Sequence, residues 1–600
     1  MNKKKNKSHP AQHKSGEQES KDRKLTIAAI VIVLLTFITY FNSLRNGFVT
    51  LDDDHYVLNN PLIHQFNLKE LFTTYWMGNY HPLVMLAYTF IYSIAHETPF
   101  AYHAVNLGLH LFNTVLVLFL IFELTGVFEI ACIVSVLFGI HPMHVESVAW
   151  VSELKDLMYT VFFLASLFCY VKYVKQGLKR KYFFLSLLFF LFSVLSKGMG
   201  VSLSIVLLLI DFYLGRKKEI KLLVEKIPFF ILSIAFGLLA IHVQKVELAV
   251  QQFGLYDLQQ RIVFACYGFI IYLVKLIIPF GLSAYYPYPI QPGEAMPVLY
   301  FLFPVMVIVL VGVVFYSVKK SKTFFFAFAF YAATIFLVLQ LIPVGGAVIA
   351  DRYTYIPSIG FFLIVAFTIF NFYKITTYKT VTMVIFSVML LSYTILSYQR
   401  IQVWNNGMSL LNDVLNKGEV PIAYYNRGLL FEAEGQTEKA IADYTHAIKL
   451  FPQYADAYNN RGLMLTFLSK NNEAMIDYNN AIQLSPDNSI AYYNRGNIYY
   501  ATGDNEKAII DFNKAIKIDP GFAKAWCNRA NIYFVKEEYD SAIADYSMAI
   551  QLDNTLANAF ANRASVFSKL NRIEEACSDF SSAAKLGDAN SEAMIKKLCQ

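Results

Sequence analysis

Charge is what this chain has least of for its size. Only 16% of its 600 residues are Asp, Glu, Lys or Arg, against roughly 25% in average soluble proteins. That scarcity excludes a disordered chain and a string of ordinary soluble domains. Cysteine is also rare, with six residues (Cys132, Cys169, Cys266, Cys527, Cys577, Cys599), no CxxC and no regular spacing. Neither a disulfide scaffold nor a zinc module is expected, and the absence of HExxH removes the simplest zinc hydrolase. Glycine, at 28 residues, is far too sparse for a fibrous repeat. The charge surplus of 51 − 44 = +7 is modest for this length, and no nucleic-acid partner is expected.

What fills the chain is apolar. Hydrophobic residues make up 56%, with 52 Phe and 40 Tyr, and mean hydropathy is +0.42. The bias is confined to one part. Up to about residue 397 long apolar runs recur, whereas 421–600 reads as soluble protein. The basic tail MNKKKNKSHPAQHK lies in 1–24 and leads into LTIAAIVIVLLTFITYF (25–41), read as an uncleaved signal anchor. Further spans are expected near 102–125, 128–146, 156–173, 182–197, 199–214, 227–247, 297–317, 323–342, 353–372 and 379–397. The segment 262–280 carries Lys275 and ends at Pro279. Reading it as re-entrant or interfacial keeps the lysine-rich loops on the cytoplasmic side, as the positive-inside rule requires. The expectation is an all-α protein. A membrane domain of about eleven spans over 25–397, N-terminus cytoplasmic, is followed by a linker or helix at 398–420 and an extracytoplasmic α-solenoid. The short loops and missing organelle-retention signals suggest a bacterial inner membrane.

The solenoid rests on a 34-residue repeat. Asn-Arg recurs at 426–427, 460–461, 494–495, 528–529 and 562–563. Small residues, then Ala, then an aromatic follow at fixed offsets, and Pro452, Pro486 and Pro520 close the first three units. This is the tetratricopeptide (TPR) pattern of paired antiparallel helices, five units at 421–454, 455–488, 489–522, 523–556 and 557–590, with 591–600 as a cap. An Asp stands sixteen residues after each Arg, which suggests pairing inside the stack; an acidic-ligand site is the minor alternative. The column Asn426, Asn460, Asn494, Asn528 and Asn562 is read either as an amide ladder for an extended peptide or as a packing and capping column.

The membrane part also holds polar groups that it needs a reason to keep. FVTLDDDHYVLNNPLI places three consecutive acids, Asp52, Asp53 and Asp54, in the first external loop, where they are read as catalytic or cation-binding. His81 precedes the proline of NYHPLVMLAYTF. Tyr102, His103, Asn106 and His110 share a helical spacing inside a span. His141, His144 and Glu146 could ligate a metal by residue type, although Pro142 spoils their placement on one helix. Arg352 and Lys197 fall at the external ends of spans. Arg352 suits a phosphate, with a simple pair to Asp351 as the alternative. Acids and cations meeting at a membrane surface suit transfer from a lipid phosphate.

In order, FVTLDDDHYVLNNP, NYHPLVMLAYTF, YHAVNLGLHLFNT, LFGIHPMHVESVAWVSELKD, LIDFYLGR and ADRYTYIPSIGF, followed by the repeats, resemble the transmembrane and TPR protein O-mannosyltransferases. These are C-type, multi-span glycosyltransferases, and the resemblance covers nearly the whole chain. It implies transfer of a sugar, typically mannose, from a polyprenyl-phosphate carrier to Ser/Thr hydroxyls outside the cytoplasm. It implies catalytic roles for Asp53, Asp54 and Glu146. Carrier-phosphate contacts are expected from Arg352, His81, His141, His144, Lys197 and His103, and the repeats recruit the acceptor protein. No cofactor is implied beyond the polyprenyl-phosphate sugar donor, and the metal requirement is open. His81 stands where the family often has arginine, and Lys197-Gly198 where it often has Lys-Glu. Two other readings stay open: a non-enzymatic membrane anchor for a TPR scaffold, and a transferase acting on a lipid or glycan.

Overall fold

The structure, a computed structural model, describes residues 10–49, 51–217, 219–246, 255–342 and 345–599. It divides into two compact units, Met1–Lys417 and Gly418–Gln600. Both are helical. The only strands among the described residues, Tyr286–Pro287 and Ala347–Ile349, form one short antiparallel pair.

The first unit is built for an apolar solvent. Polar His110, Asn113 and Thr114 are fully buried, while Ile308 is 71% and Phe315 66% exposed. In water that inversion would be costly; in lipid it is the ordinary arrangement. Each expected apolar run is a helix: Pro10–Tyr40, Pro99–Thr125, Phe128–Ile140, Leu154–Lys175, Arg180–Ser196, Leu203–Tyr213, Ile227–Val246, Leu302–Ser317, Lys322–Ile335, Pro357–Lys374 and Lys379–Val403. Eight described helices are long and apolar enough to cross a membrane, or nine if a broken pair counts as one span. Seven of the expected eleven are among those eight. The other four fall short of 18 residues, and one of them, Phe128–Ile140, bends by 52° into Pro142–Ala149. The bend sits where His141 is extended and Pro142 lacks a backbone donor.

The eighth helix of that length is Leu258–Ile277, from the run expected to be re-entrant or interfacial. It is not re-entrant, being one unbroken helix of 20 residues. Near its start the Arg261 guanidinium donates to the Leu341 carbonyl at 3.1 Å. Further along, the Tyr272 hydroxyl accepts from Ala350 N at 2.9 Å, and the Leu276 carbonyl lies 3.2 Å from His141 Nε2. Leu341 and Ala350 belong to one connection between helices, and His141 packs beside that same connection through the Pro142–His144 and Asp351–Thr354 turns. The helix therefore runs along one end of the bundle, which fits an interfacial position.

The second unit is a stack of five helix pairs, from Pro421–Ala433 with Thr437–Leu450 to Ala557–Lys569 with Ile573–Lys585. A Cβ at Gly428 would lie 2.6 Å from the Tyr444 ring, so only glycine lets this pair approach as closely. The Arg–Asp columns pair as expected from their offset. In the second unit of the repeat, Arg461 Nε and Nη2 donate to Asp477 at 2.8 and 2.7 Å, and Nη1 reaches back to Thr445 at 3.1 Å. Arg495 repeats this with Asp511 and Asn479, and Arg563 with Asp579 and Ser547. One finding corrects the sequence reading. Cys577 and Cys599 form a disulfide that ties the helix Ala589–Leu598 to the last repeat. Their spacing of 22 residues carries no signature; only the packing of that final helix brings the sulfurs together.

Candidate functional site

Three connections meet at one end of the first unit: the loop after the first helix, the turn at 141–153, and the segment before Pro357–Lys374. Asp53 ties the first to the second. One of its oxygens accepts from Val49 N at 2.9 Å; the other accepts from Ser152 N at 2.9 Å and from the Ser152 hydroxyl. Burial pushes its pKa up to about 7 despite those donors. With both oxygens occupied, Asp53 is an anchor, not a free base. Asp54 accepts from His55 N at 3.0 Å and makes no ion pair except a 3.9 Å approach to that exposed histidine. Neither expected acid faces the cations.

Asp52 does. Its carboxylate has no hydrogen bond or ion pair among the described residues, and its charged neighbours are Lys155, Glu153, Arg352 and Asp54. Burial raises its pKa above the ordinary carboxylate value. Behind it, Glu153 gathers the cations: one oxygen lies 3.3 Å from Lys155 Nζ and 3.2 Å from Arg352 Nε, the other 3.8 Å from Lys197 Nζ. Glu146 accepts from Arg352 N at 3.0 Å and from its Nη1, and Asp156 pairs with Lys197. Arg352 lies over the Trp150 ring at 5.3 Å, and Lys155 over Tyr56 at 4.8 Å. His81 completes the group, its ring 5.5 Å from Tyr56. Its Nε2 is buried without a partner among the described residues, and burial together with Lys155 and Lys197 lowers its pKa to about 3, so the ring is neutral.

Glu146, Arg352, Lys197 and His81 thus sit together, as the sequence reading had them. Asp351 does not pair with Arg352; it accepts from the Tyr286 hydroxyl at 2.7 Å. The other expected histidines bond within the fold, though His103 Nδ1 is buried with no partner among the described residues. His141 caps its own turn, accepting from Met143 N at 3.3 Å, with Nε2 toward the Leu276 carbonyl. His144 lies 2.8 Å from the Phe138 carbonyl and 3.1 Å from Ser358 Oγ, and His103 3.3 Å from the Gly47 carbonyl. His110 lies between Tyr355 and the Gly139 carbonyl. No three His, Cys, Asp or Glu side chains among the described residues could hold a metal, so the His141, His144, Glu146 ligand set does not form. Sequence reasoning had Asp52 as one of three candidate acids, which the resemblance narrowed to Asp53 and Asp54, and it missed Trp150, Glu153, Lys155 and Asp156. The signal was SELKD, three charges within four residues at the start of an apolar helix. It also supplies the carboxylate beside Lys197 that Gly198 lacks.

In the repeats, the asparagine column is bonded between neighbours. Asn460 Nδ2 donates to Tyr425 Oη at 3.2 Å, Asn494 to Asn459 at 3.1 Å, Asn528 to Asn497 at 2.8 Å and Asn562 to Asn531 at 2.9 Å. Asn426, with no repeat before it, makes no such bond among the described residues. The amide donors cross-link the stack, which favours the packing reading of this column.

Two family models match the second unit: Tetratricopeptide repeat, over 421–454, 489–522 and 523–556, and TPR repeat, over 464–503. The chain is 26% identical over 457 residues to Protein O-mannosyl-transferase F38B6.6 of Caenorhabditis elegans, covering 71% of this chain and 63% of that protein. It is 32% identical over 154 residues to human Protein O-mannosyl-transferase TMTC3, covering 24% of this chain and 16% of the relative. To mouse Protein O-mannosyl-transferase TMTC1 it is 28% identical over 220 residues, 32% of this chain and 23% of the relative. The chain therefore spans less than two thirds of the worm protein and under a quarter of these two mammalian ones. Among solved structures, YrrB, a TPR protein with an unusual peptide-binding site, matches with a TM-score of 0.27 at 20% identity, covering 31% of this chain and 98% of that one.

Proposed function

We propose that the first unit transfers a sugar, mannose by analogy with its relatives' names, from a polyprenyl-phosphate carrier to Ser/Thr hydroxyls of proteins. The reaction takes place outside the cytoplasm of a bacterial inner membrane, and the TPR repeats recruit the acceptor. The observation that carries this reading is Asp52, an unbonded carboxylate beside two cations, Lys155 and Arg352, at the end of an apolar bundle. Asp52 takes the acceptor hydroxyl's proton as the oxygen attacks the anomeric carbon. The bond from that carbon to the phosphate oxygen breaks, and the electron pair leaves with the phosphate. Arg352, Lys155 and Lys197 hold that phosphate, and His81 Nε2 donates to it. Because Glu146, Glu153 and Asp156 balance the three cations beforehand, the cations stay fixed in place without the ligand. Asp53 and Asp54, the expected catalytic pair, take supporting roles: Asp53 fixes the turn that carries Glu153, and Asp54 flanks it.

The orientation is supported by basic residues at the opposite end of the helices. Lys172 and Lys175 close Leu154–Lys175, and Arg180 and Lys181 open the next helix. The test uses purified full-length protein with labelled polyprenyl-phosphate mannose and a Ser/Thr-rich protein acceptor. Asp52→Asn is expected to lower transfer about a hundredfold or more, and Asp54→Asn to leave it within about twofold. Full transfer by Asp52→Asn would sink the mechanism. Label in lipid instead of protein would replace the acceptor.

A further inference from the structure

A second charged cluster lies outside the site, where the helix Lys379–Val403 meets the end of Leu258–Ile277. Arg400 and Lys417 share Asp413: Arg400 Nη1 and Lys417 Nζ each stand 2.6 Å from its Oδ2. Lys417 also donates to the Leu282 carbonyl, and Lys275 donates to the adjoining Gly281 carbonyl at 3.1 Å. Two cations, Lys417 and Lys275, therefore converge on residues 281–282, and Arg400 joins them through Asp413. The carboxylates among them are Asp413 and Asp351, whose nearest cations are Arg400, Lys275 and Lys417. The cluster carries 3 − 2 = +1 in a poorly hydrated place. Arg400 is 6% exposed, and its Nη2 is buried without a partner among the described residues. A buried guanidinium nitrogen left without an acceptor is rare and costly.

The surface leading to this cluster is apolar: Val274, Ile277, Ile278 and Phe280 are 46–66% exposed. Tyr393, on the helix that carries Arg400, holds this segment in place, its hydroxyl donating to the Ile277 carbonyl at 2.9 Å. An exposed hydrocarbon track that ends under a net-positive cluster with a free donor matches one chemistry. We infer that this seam binds an anionic glycerophospholipid, its acyl chains along Val274–Phe280 and its phosphate on Arg400, Lys275 and Lys417. Inorganic phosphate offers the same headgroup chemistry without the chains. The proposed transfer reaction is not needed for this inference.

The test uses full-length protein in neutral detergent, titrated with dioleoylphosphatidylglycerol, dioleoylphosphatidylcholine or inorganic phosphate at constant ionic strength. Binding is read from Trp fluorescence and from lipid retained in native mass spectra. Phosphatidylglycerol is expected to saturate, with phosphatidylcholine about tenfold weaker and phosphate weaker still. Lys275→Gln, which removes bonds to the Phe280 and Gly281 carbonyls and a cation over the Tyr286 ring, is expected to weaken phosphatidylglycerol about tenfold while moving the melting temperature of the lipid-free protein by only a few degrees. Arg400→Lys, which keeps the charge but not the fork, is expected to weaken it as well. Equal affinity for the two lipids, or unchanged binding by Lys275→Gln, would overturn the site. Phosphate alone saturating as tightly as phosphatidylglycerol would overturn the lipid assignment.

Discussion

Among the three consecutive acids, neighbours in sequence have unlike chemistry because the backbone turns between them. Asp52 is held unbonded near cations, Asp53 is bonded on both oxygens, and Asp54 faces its own histidine. Since a general base works only when deprotonated, and burial raises the Asp52 pKa, the acid limb of the transfer-rate profile should lie above the ordinary carboxylate range near 3.9. Rate against pH from 4 to 8 measures this. A limb at or below 4 would assign the base elsewhere. Replacing Asp53 by Ala should destabilise the unit by about 3 kcal/mol, because Val49 N, Ser152 N and the Ser152 hydroxyl would lose their acceptor; denaturant midpoints test it. The sequence made the acidic loop, Glu146, Lys197 and Arg352 legible, since ionisable residues at apolar helix ends stand out. It could not say which of three adjacent acids is free, because that depends on Ser152, about a hundred residues away. Nor could it separate a histidine with an unpartnered nitrogen from one bonded at both: His144 and His81 look alike until their surroundings are seen.

Helices were the easiest elements to read. Every expected run is a helix, and the 34-residue period set the repeat boundaries, because both signals are local. The long interfacial helix and the Cys577–Cys599 bond were harder, since each is decided by what packs against it. Two predictions belong at this scale. A Cβ on Gly360 would lie 2.5 Å from the Ala327 carbonyl, where two helices of the first unit cross. Gly360→Leu should therefore lower the detergent melting temperature by several degrees, whereas Gly312→Leu, at an open position, should not. Removing the disulfide as Cys577→Ala with Cys599→Ala should cost the last repeat about 3 kcal/mol on the chain-entropy model. Faster proteolysis after Lys569 would report it, and an unchanged cleavage rate would mean the packing of Ala589–Leu598 suffices.

At the scale of the whole molecule, an apolar helical bundle and a repeat array are joined in one chain, each forming its own compact unit. A chain ending at Lys417 should therefore keep transfer to a short Ser/Thr peptide and lose it for a long protein acceptor. Equal loss for both would mean the repeats do more than recruit. The array has a further property that follows from its arginines. Each guanidinium from the second repeat onward grips an Asp sixteen residues ahead and a polar side chain sixteen residues behind. A duplicated 34-residue unit would thus arrive with both halves of its own fastening, and a deleted one would leave no widowed charge. Such an array can lengthen or shorten by whole units over generations, changing its reach without any redesign of its joints.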